Sequence, residues 1–142
     1  MMRMRGPDAS KGHPVIPVVR ELTSQAFRQP DIPKIRRLAA VFGARAGMGT
    51  TQMADFVQAV SEAAACAFAQ GPCTARMRLW AAGARAFCEI SGDGMLVTDG
   101  PWQPRQGDAE KLRRWLLRRL CDHVSVESGP DGVTVRLAMT VA

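Results

Sequence analysis

The spacing of the apolar residues changes at Gly71-Pro72, and that change commits the chain to a fold built from both helices and strands. Before the break, Met53, Phe56, Val57, Val60, Ala64 and Phe68 recur three and four residues apart. This is the stripe of a helix that buries one side. Thr50 or Thr51 is its expected cap, and Asp55 lies near the end where the helix dipole favours negative charge. Proline cannot continue the helix, and glycine readily takes the left-handed conformation that closes one. From Thr74 the period is two. Met77, Leu79 and Ala81 alternate with Arg76, Arg78 and Trp80, Ala82-Gly83 turns the chain, and residues 85–90 return it. That pattern predicts a β-hairpin.

The same signals organise the rest. Residues 1–17 mix Arg, Gly, Pro, Asp, Ser and Lys without apolar periodicity and read as a flexible N-terminal arm, leaving residues 18–142 as one domain. Residues 18–27 alternate loosely and predict an edge strand. Pro30-Asp31-Ile32-Pro33 opens a helix, with Asp31 as N-cap and Pro33 in the first turn. Ile35, Leu38, Ala39 and Phe42 give that helix a buried stripe, Lys34, Arg36 and Arg37 face water, and residues 43–49 close it. Residues 95–106 are rich in Pro and Gly and read as loop. Asp108 is expected to cap a helix reaching about Cys121, with Leu112, Trp115, Leu116 and Leu120 on its inner side and Lys111, Arg114 and Arg118 on another. A closing hairpin follows from Val124, through the turn Gly129-Pro130-Asp131-Gly132, to Met139. The expected architecture is α+β: a two-layer sandwich with an antiparallel or mixed sheet and two or three helices on one face.

Composition narrows the function classes. With 142 residues, 46% hydrophobic and 23% charged, the chain is long enough for one ordinary core. No apolar run approaches the roughly 18 residues that span a bilayer, so no membrane partner is expected. The basic start is followed by no uninterrupted apolar region, so a cytoplasmic location is expected. Cys66, Cys73, Cys88 and Cys121 lack metal-ligand spacing and His13 lies far from His123, so no metal centre is expected and the thiols read as small reduced hydrophobes. The net charge of +6 favours an acidic partner, whether nucleic acid, an acidic protein face or phosphate, but it also arises in any Arg-rich proteome.

Helix, Gly71-Pro72 break, hairpin, Gly92-Asp93-Gly94 turn, basic helix and closing hairpin follow one another in an order that resembles the histidine-kinase-like (GHKL, or Bergerat) ATPase domain. The runs Val60-Ser61-Glu62 and Leu120-Cys121-Asp122-His123-Val124-Ser125-Val126, with Gly129-Pro130-Asp131-Gly132, carry the likeness to its small bacterial anti-sigma factor and serine-protein kinase branch. The likeness covers residues 23–141. It implies a helix Asn that ligates magnesium, a Glu one turn earlier that acts as general base or orients water, an Asp that reads adenine, and a glycine-rich lid that cradles phosphate. Glu62 stands at the Glu position and Cys66 at the Asn position, four residues apart on one helix face. Magnesium prefers oxygen, and a thiol is a poor substitute. Gly92 falls where the adenine-reading Asp belongs, Gly94 at the first glycine and Leu96 at the second. Asp93 is one residue off, a shift that turns a side chain to the other face unless a bulge re-aims it. The lid positions hold Lys111, Leu112, Arg113 and Arg114, with Gly107 the only glycine nearby.

The resemblance therefore implies a regulatory protein-binding module like an anti-sigma factor, with a vestigial nucleotide site at Glu62, Cys66, Gly92, Asp93 and Gly94, no assigned catalytic residue and no cofactor. Its partner would be a sigma factor or a STAS-type antagonist, gripped through the first helix and the neighbouring sheet edge, with Lys34, Arg36, Arg37 and Arg45 supplying charge complementary to an acidic surface. The alternative is an active serine-protein kinase that uses magnesium-ATP to phosphorylate a STAS-type antagonist, with Glu62 as base and Asp93 reading adenine. A second alternative is nucleic-acid binding through residues 111–119, where Arg113, Arg114, Arg118 and Arg119 would contact phosphates. Against it, Trp115 falls with the leucines and is expected to pack inward, and neither a helix-turn-helix spacing nor an aromatic-interleaved sheet is legible. An uncovered sheet edge also leaves a homodimer open.

Overall fold

Strict alternation gives the sheet one buried face, and helical stripes cover that face. In the computed structural model, the described residues are 20–69, 71, 73–92, 108–130 and 132–141. The N-terminal arm, Asp93, Gly94, Leu96, the 95–106 loop, Gly107 and Asp131 lie outside them. The elements run β1 (Arg20–Phe27), a 3-10 turn (Gln29–Asp31), α1 (Ile32–Arg45), α2 (Thr50–Ala67), β2 (Ala75–Ala82), β3 (Arg85–Gly92), α3 (Asp108–Leu120), β4 (His123–Gly129) and β5 (Gly132–Thr140). The five strands form one sheet in the order β1-β2-β3-β5-β4, and every neighbouring pair is antiparallel. The α+β two-layer sandwich is thus what the chain forms, with β1 as the edge strand anticipated.

Register fixes which residues share a face. Met77 pairs with Ile90, which pairs with Val135; Leu79 pairs with Cys88, which pairs with Leu137. All six are buried, and α2 packs across β3 and β5 on their side. Phe56, Val60 and Ala64 of α2 reach the same core, and α1 adds Ile35, Ala39 and Phe42. One aromatic pair joins α1 to α2, and another joins β1 to the end of α2. Phe42 meets Phe56 at 5.8 Å between ring centroids, and Phe27 meets Phe68 edge-on at 5.6 Å. Burying a side chain of this size is worth about 1.5–3 kcal/mol each.

The helix ends differ from the sequence reading. Gly49 is the N-cap of α2, and Thr50 is already helical. Asp31 flanks α1 as expected but makes no cap bond to it; its Oδ2 accepts the Arg28 N–H at 3.0 Å and closes the preceding turn instead. Gly43 does not end α1, which runs to Arg45. A Cβ there would lie 3.1 Å from the Met48 sulfur and 3.3 Å from Met53 Cγ, so this glycine serves the close approach of α1 to the start of α2. The turns match better. Gly83 takes φ +59° between β2 and β3, and Gly129 pairs with Gly132 to close the last hairpin.

The largest correction concerns α3. Leu117, absent from the expected stripe, is fully buried, whereas Leu112 is 62% and Trp115 54% exposed. Arg114, expected in water, is half-buried, and so is Arg113. The sequence carries two overlapping stripes about 100° apart per residue step, and docking on α2 selects the one through Arg113, Leu117, Leu120 and Cys121. Arginine stems cover apolar surface while their heads stay polar, which lets this mixed stripe face inward.

Candidate functional site

Glu62 lies on the fourth turn of α2, one turn before Cys66. Its carboxylate is already engaged on both oxygens. Gln58, one turn earlier, donates Nε2–H to Oε2 at 2.7 Å, and Arg113 of α3 brings Nε to 3.7 Å from Oε1. Arg113 comes from the segment that the ATPase resemblance assigns to the phosphate lid, so the lid positions supply a cation that closes on the Glu. Both side chains are only partly exposed, 31% for Arg113 and 22% for Glu62.

Cys66 is 2% exposed and belongs to the core cluster with Phe68 and Ala63. A buried thiol beside a carboxylate held by two donors does not fit a hard divalent cation, which requires several oxygen ligands around a hydrated ion. Gly92, the last residue of β3, faces the helix layer at the C-terminal end of α2. A Cβ there would come within 3.1 Å of the Ala67 carbonyl and 3.2 Å of Cys73 Sγ, and the Cys73 thiol itself donates to that carbonyl at 3.4 Å. The position that the resemblance assigns to the adenine-reading Asp is therefore crowded, because a side chain there needs the Ala67 carbonyl and Cys73 to give by a few tenths of an ångström. These residues do not fit magnesium-ATP. Asp93 and Gly94 lie outside the described residues.

The other thiols are chemically quiet. Burial, reinforced by the neighbouring Asp122 and Asp55, pushes Cys121 up to about 12, and burial pushes Cys88 higher still. Both stay protonated near neutrality, so neither offers a thiolate nucleophile or metal ligand. Among the described residues no group of three or more His, Cys, Asp or Glu side chains gathers as a metal site.

The proposed partner residues Lys34, Arg36, Arg37 and Arg45 are all exposed on α1. Lys34, Arg37, Val41 and Arg45 follow at helical spacing, and Val41, 51% exposed, sits between two arginines. The structure thus gathers Lys34, Arg37 and Arg45 on one outward ridge with an apolar centre, while Arg36 lies about 100° or more round the helix from it.

Sequence reasoning missed a second surface, on the sheet face that no described helix covers. Trp80 and Phe87 are cross-strand partners whose rings stack at 5.3 Å with 7° between planes. Arg78 lies over Trp80 at 5.5 Å and Arg85 over Phe87 at 5.7 Å. Glu89 bridges two arginines, at 3.2 Å to Arg78 Nη1 and 2.8 Å to Arg136 Nε, and Arg136 reaches on to Glu127 at 3.4 Å. The sheet is aromatic-interleaved after all. Its signal in the sequence is the solvent phase of the alternation, Arg76, Arg78 and Trp80, which by itself marks no more than the outer side of a hairpin. A hollow of about 340 Å³ opens beside the pair, lined by Trp80, Arg85, Phe87, His123, Ser125, Arg136 and Ala138, with Cys88 and Leu137 beneath.

No protein-family model matches the chain, and neither does any curated protein.

Proposed function

We propose that this protein is a nucleotide-independent regulatory module that binds an acidic helical surface of a protein partner, as the resemblance to anti-sigma factors implies. The observation that carries the reading is the Glu62 corner. Glu62 is clamped by Gln58 and Arg113, the position that the resemblance assigns to the metal ligand holds a core thiol, and the one it assigns to the adenine reader is crowded by the Ala67 carbonyl. Phosphoryl transfer depends on positioning and on charge neutralisation by metal, and each of those parts is replaced here.

Binding falls to α1. Lys34, Arg36, Arg37 and Arg45 steer an acidic partner, and exposed Val41 gives its apolar residues a seat. A sigma-factor helical domain or a STAS-type antagonist is the partner class, and the compartment is the cytoplasm. No described helix is long and apolar enough to cross a membrane.

Calorimetric titration with purified sigma-factor domains and STAS proteins of the same organism, with and without magnesium-ATP, tests the proposal. Binding that is unchanged by nucleotide and weakened about tenfold or more by Arg36→Glu with Arg37→Glu is expected. Binding that requires magnesium-ATP, or phosphate appearing on the STAS protein, would make the chain a kinase. Absence of binding to both classes would remove the proposal.

A further inference from the structure

Among the described residues, the large apolar side chains that stand exposed all lie on helices: Val41 on α1, and Leu112 and Trp115 together on α3. Leu112 and Trp115 are three residues apart and so share one helix face. Successive side chains turn by about 100°, which places Trp115 about 160° round the helix from Leu117, the residue that docks in the core. The same rule sets Lys111, Leu112, Arg118 and Arg119 within about 60° of Trp115, and all four are exposed. Arg119 rests over the Trp115 ring at 5.3 Å, which holds a guanidinium beside an indole that is still 54% exposed. Among the described residues of α3 the exposed ones are these five and Ala109, and none is acidic.

Charge and spacing both bear on what such a face meets. The helices carry net charges of +4 on α1, −2 on α2 and +3 on α3, so they hold most of the chain's net +6. An anionic partner is therefore drawn to this side of the sheet. A helix that docks into a protein groove repeats its apolar anchors at i, i+3 or i+4, and i+7. α3 has one turn of them. The positions that would continue the row beyond Trp115 hold Arg118 and Arg119, and the position one turn before it holds Lys111. An apolar apex with cations at both ends fits a flat boundary. There the ring and the leucine sink a short way, while the long cationic side chains spread at the level of the charged groups.

From this juxtaposition we propose that α3 seats the protein on an anionic lipid surface, with Trp115 and Leu112 entering the headgroup layer and Lys111, Arg118 and Arg119 meeting the lipid phosphates and carboxylates. The want of an apolar run of spanning length bears on crossing a bilayer, not on lying at its surface. Duplex nucleic acid would use the three cations and leave Trp115 and Leu112 in water. The site is also separate from the partner-binding residues of α1. α1 touches β1 at one edge of the sheet and α3 touches β4 at the other. Four strand spacings put those edges roughly 19 Å apart, beyond the screening length of about 10 Å in ~0.1 M salt. The proposal thus goes beyond the protein-binding reading and stands or falls separately.

The test is co-sedimentation of the full chain with phosphatidylcholine vesicles, with and without phosphatidylserine, at low and moderate salt. The chain should pellet with the anionic vesicles, stay in solution with the neutral ones, and be partly released by salt. Trp115→Ala should weaken binding about tenfold by removing the buried ring, and Trp115→Phe should recover most of it. Lys111→Gln, Arg118→Gln and Arg119→Gln should each weaken it about fivefold. These positions are exposed, so the variants should keep the fold. Arg36→Glu with Arg37→Glu on α1 should stay within about threefold of the wild type. Trp80→Phe with Trp102→Phe leaves Trp115 as the only indole. Its emission should shift to the blue on anionic vesicles and be quenched by brominated lipid. Equal binding to neutral vesicles, indifference to Trp115→Ala, or an unmoved Trp115 emission would each overturn the proposal. So would a loss through the α1 pair as large as that through α3, or a Trp115-dependent preference for polyglutamate or duplex DNA over the vesicles.

Discussion

Arg113 on α3 and Glu62 on α2 form an ion pair across the two helices at 3.7 Å, and Gln58 takes the carboxylate oxygen that Arg113 leaves. The pair ties the helix before the central hairpin to the helix after it. Its geometry is loose and both partners are partly exposed, so solvent screens much of the attraction.

Glu62→Gln should therefore cost little, about 0.5–1 kcal/mol of unfolding free energy, because the shape survives and only the charge is lost. Urea unfolding with an unchanged slope checks this. A double-mutant cycle with Arg113→Ala should give a coupling energy below about 1 kcal/mol. A coupling of several kcal/mol would mean that the pair is a structural keystone.

Cys66→Asn restores the residue that the ATPase resemblance calls for, but puts an amide where a thiol is 2% exposed. An unpaired buried polar group costs about 1–3 kcal/mol, so the variant should be less stable than the wild type. Millimolar magnesium-ATP should not raise its melting temperature, since a ligand stabilises only a state that binds it. A clear upward shift would mean that the remaining nucleotide positions are intact.

Gly92→Asp should be worse. The new Cβ would meet the Ala67 carbonyl, which is backbone and cannot swing aside. Overpacking of this kind costs about 1–3 kcal/mol, and the charge beside an apolar layer adds to it. Thermal unfolding of Gly92→Ala, which adds the Cβ alone, separates the two contributions.

Periodicity made most of the architecture legible. The stretch Met77, Leu79, Ala81 and the stripe Phe56, Val60, Ala64 each had one arrangement that buried them, and both are buried. Where two arrangements satisfied the same pattern, sequence alone did not decide. The last helix offers Leu112 with Trp115 or Leu117 with Leu120 as its inner face, and the choice is made by α2, a partner about fifty residues away in the chain. The candidate site was visible in identity but not in contact. Glu62 and Cys66 could be placed one turn apart, while the Arg113 clamp depends on how two helices meet. The Trp80–Phe87 stack escaped for a similar reason, because it appears only when β2 and β3 are set in register.

The choice of face on α3 gives a sharp comparison. Leu117→Ala should cost about 2–5 kcal/mol, the usual range for a fully buried leucine. Trp115→Ala and Leu112→Ala should stay within about 1 kcal/mol, the former losing only the partly exposed ring and its contact with Arg119 at 5.3 Å. The reverse order in chemical denaturation would restore the inward tryptophan that the sequence had implied.

Acid should loosen one corner of the sheet ahead of the rest. The Asp122 carboxylate accepts the Thr140 N–H at 2.6 Å, and the Asp122 N–H donates to the Ala138 carbonyl at 3.0 Å, so this residue fastens the end of β5 to the α3–β4 corner. The hydrogen bond from the Thr140 backbone, with help from the Thr140 side chain and the nearby Arg85, holds the carboxyl below its usual value. A carboxyl with a depressed folded pKa contributes stability that is complete above its unfolded value, about 3.9. That contribution is lost as pH falls through the folded value. Wild-type stability should therefore decline below about pH 4 more steeply than that of Asp122→Asn, whose amide keeps an acceptor and cannot titrate. The two acid limbs should converge at the lowest pH, and the wild type should be the more stable near neutrality. The corner is almost fully exposed, so the difference will be small, and amide exchange at Thr140 is the sensitive readout. Protection of that N–H should fall with acid in the wild type and stay level in Asp122→Asn. Parallel acid limbs, with no pH-dependent difference at Thr140, would show that the charge on Asp122 does not hold this corner.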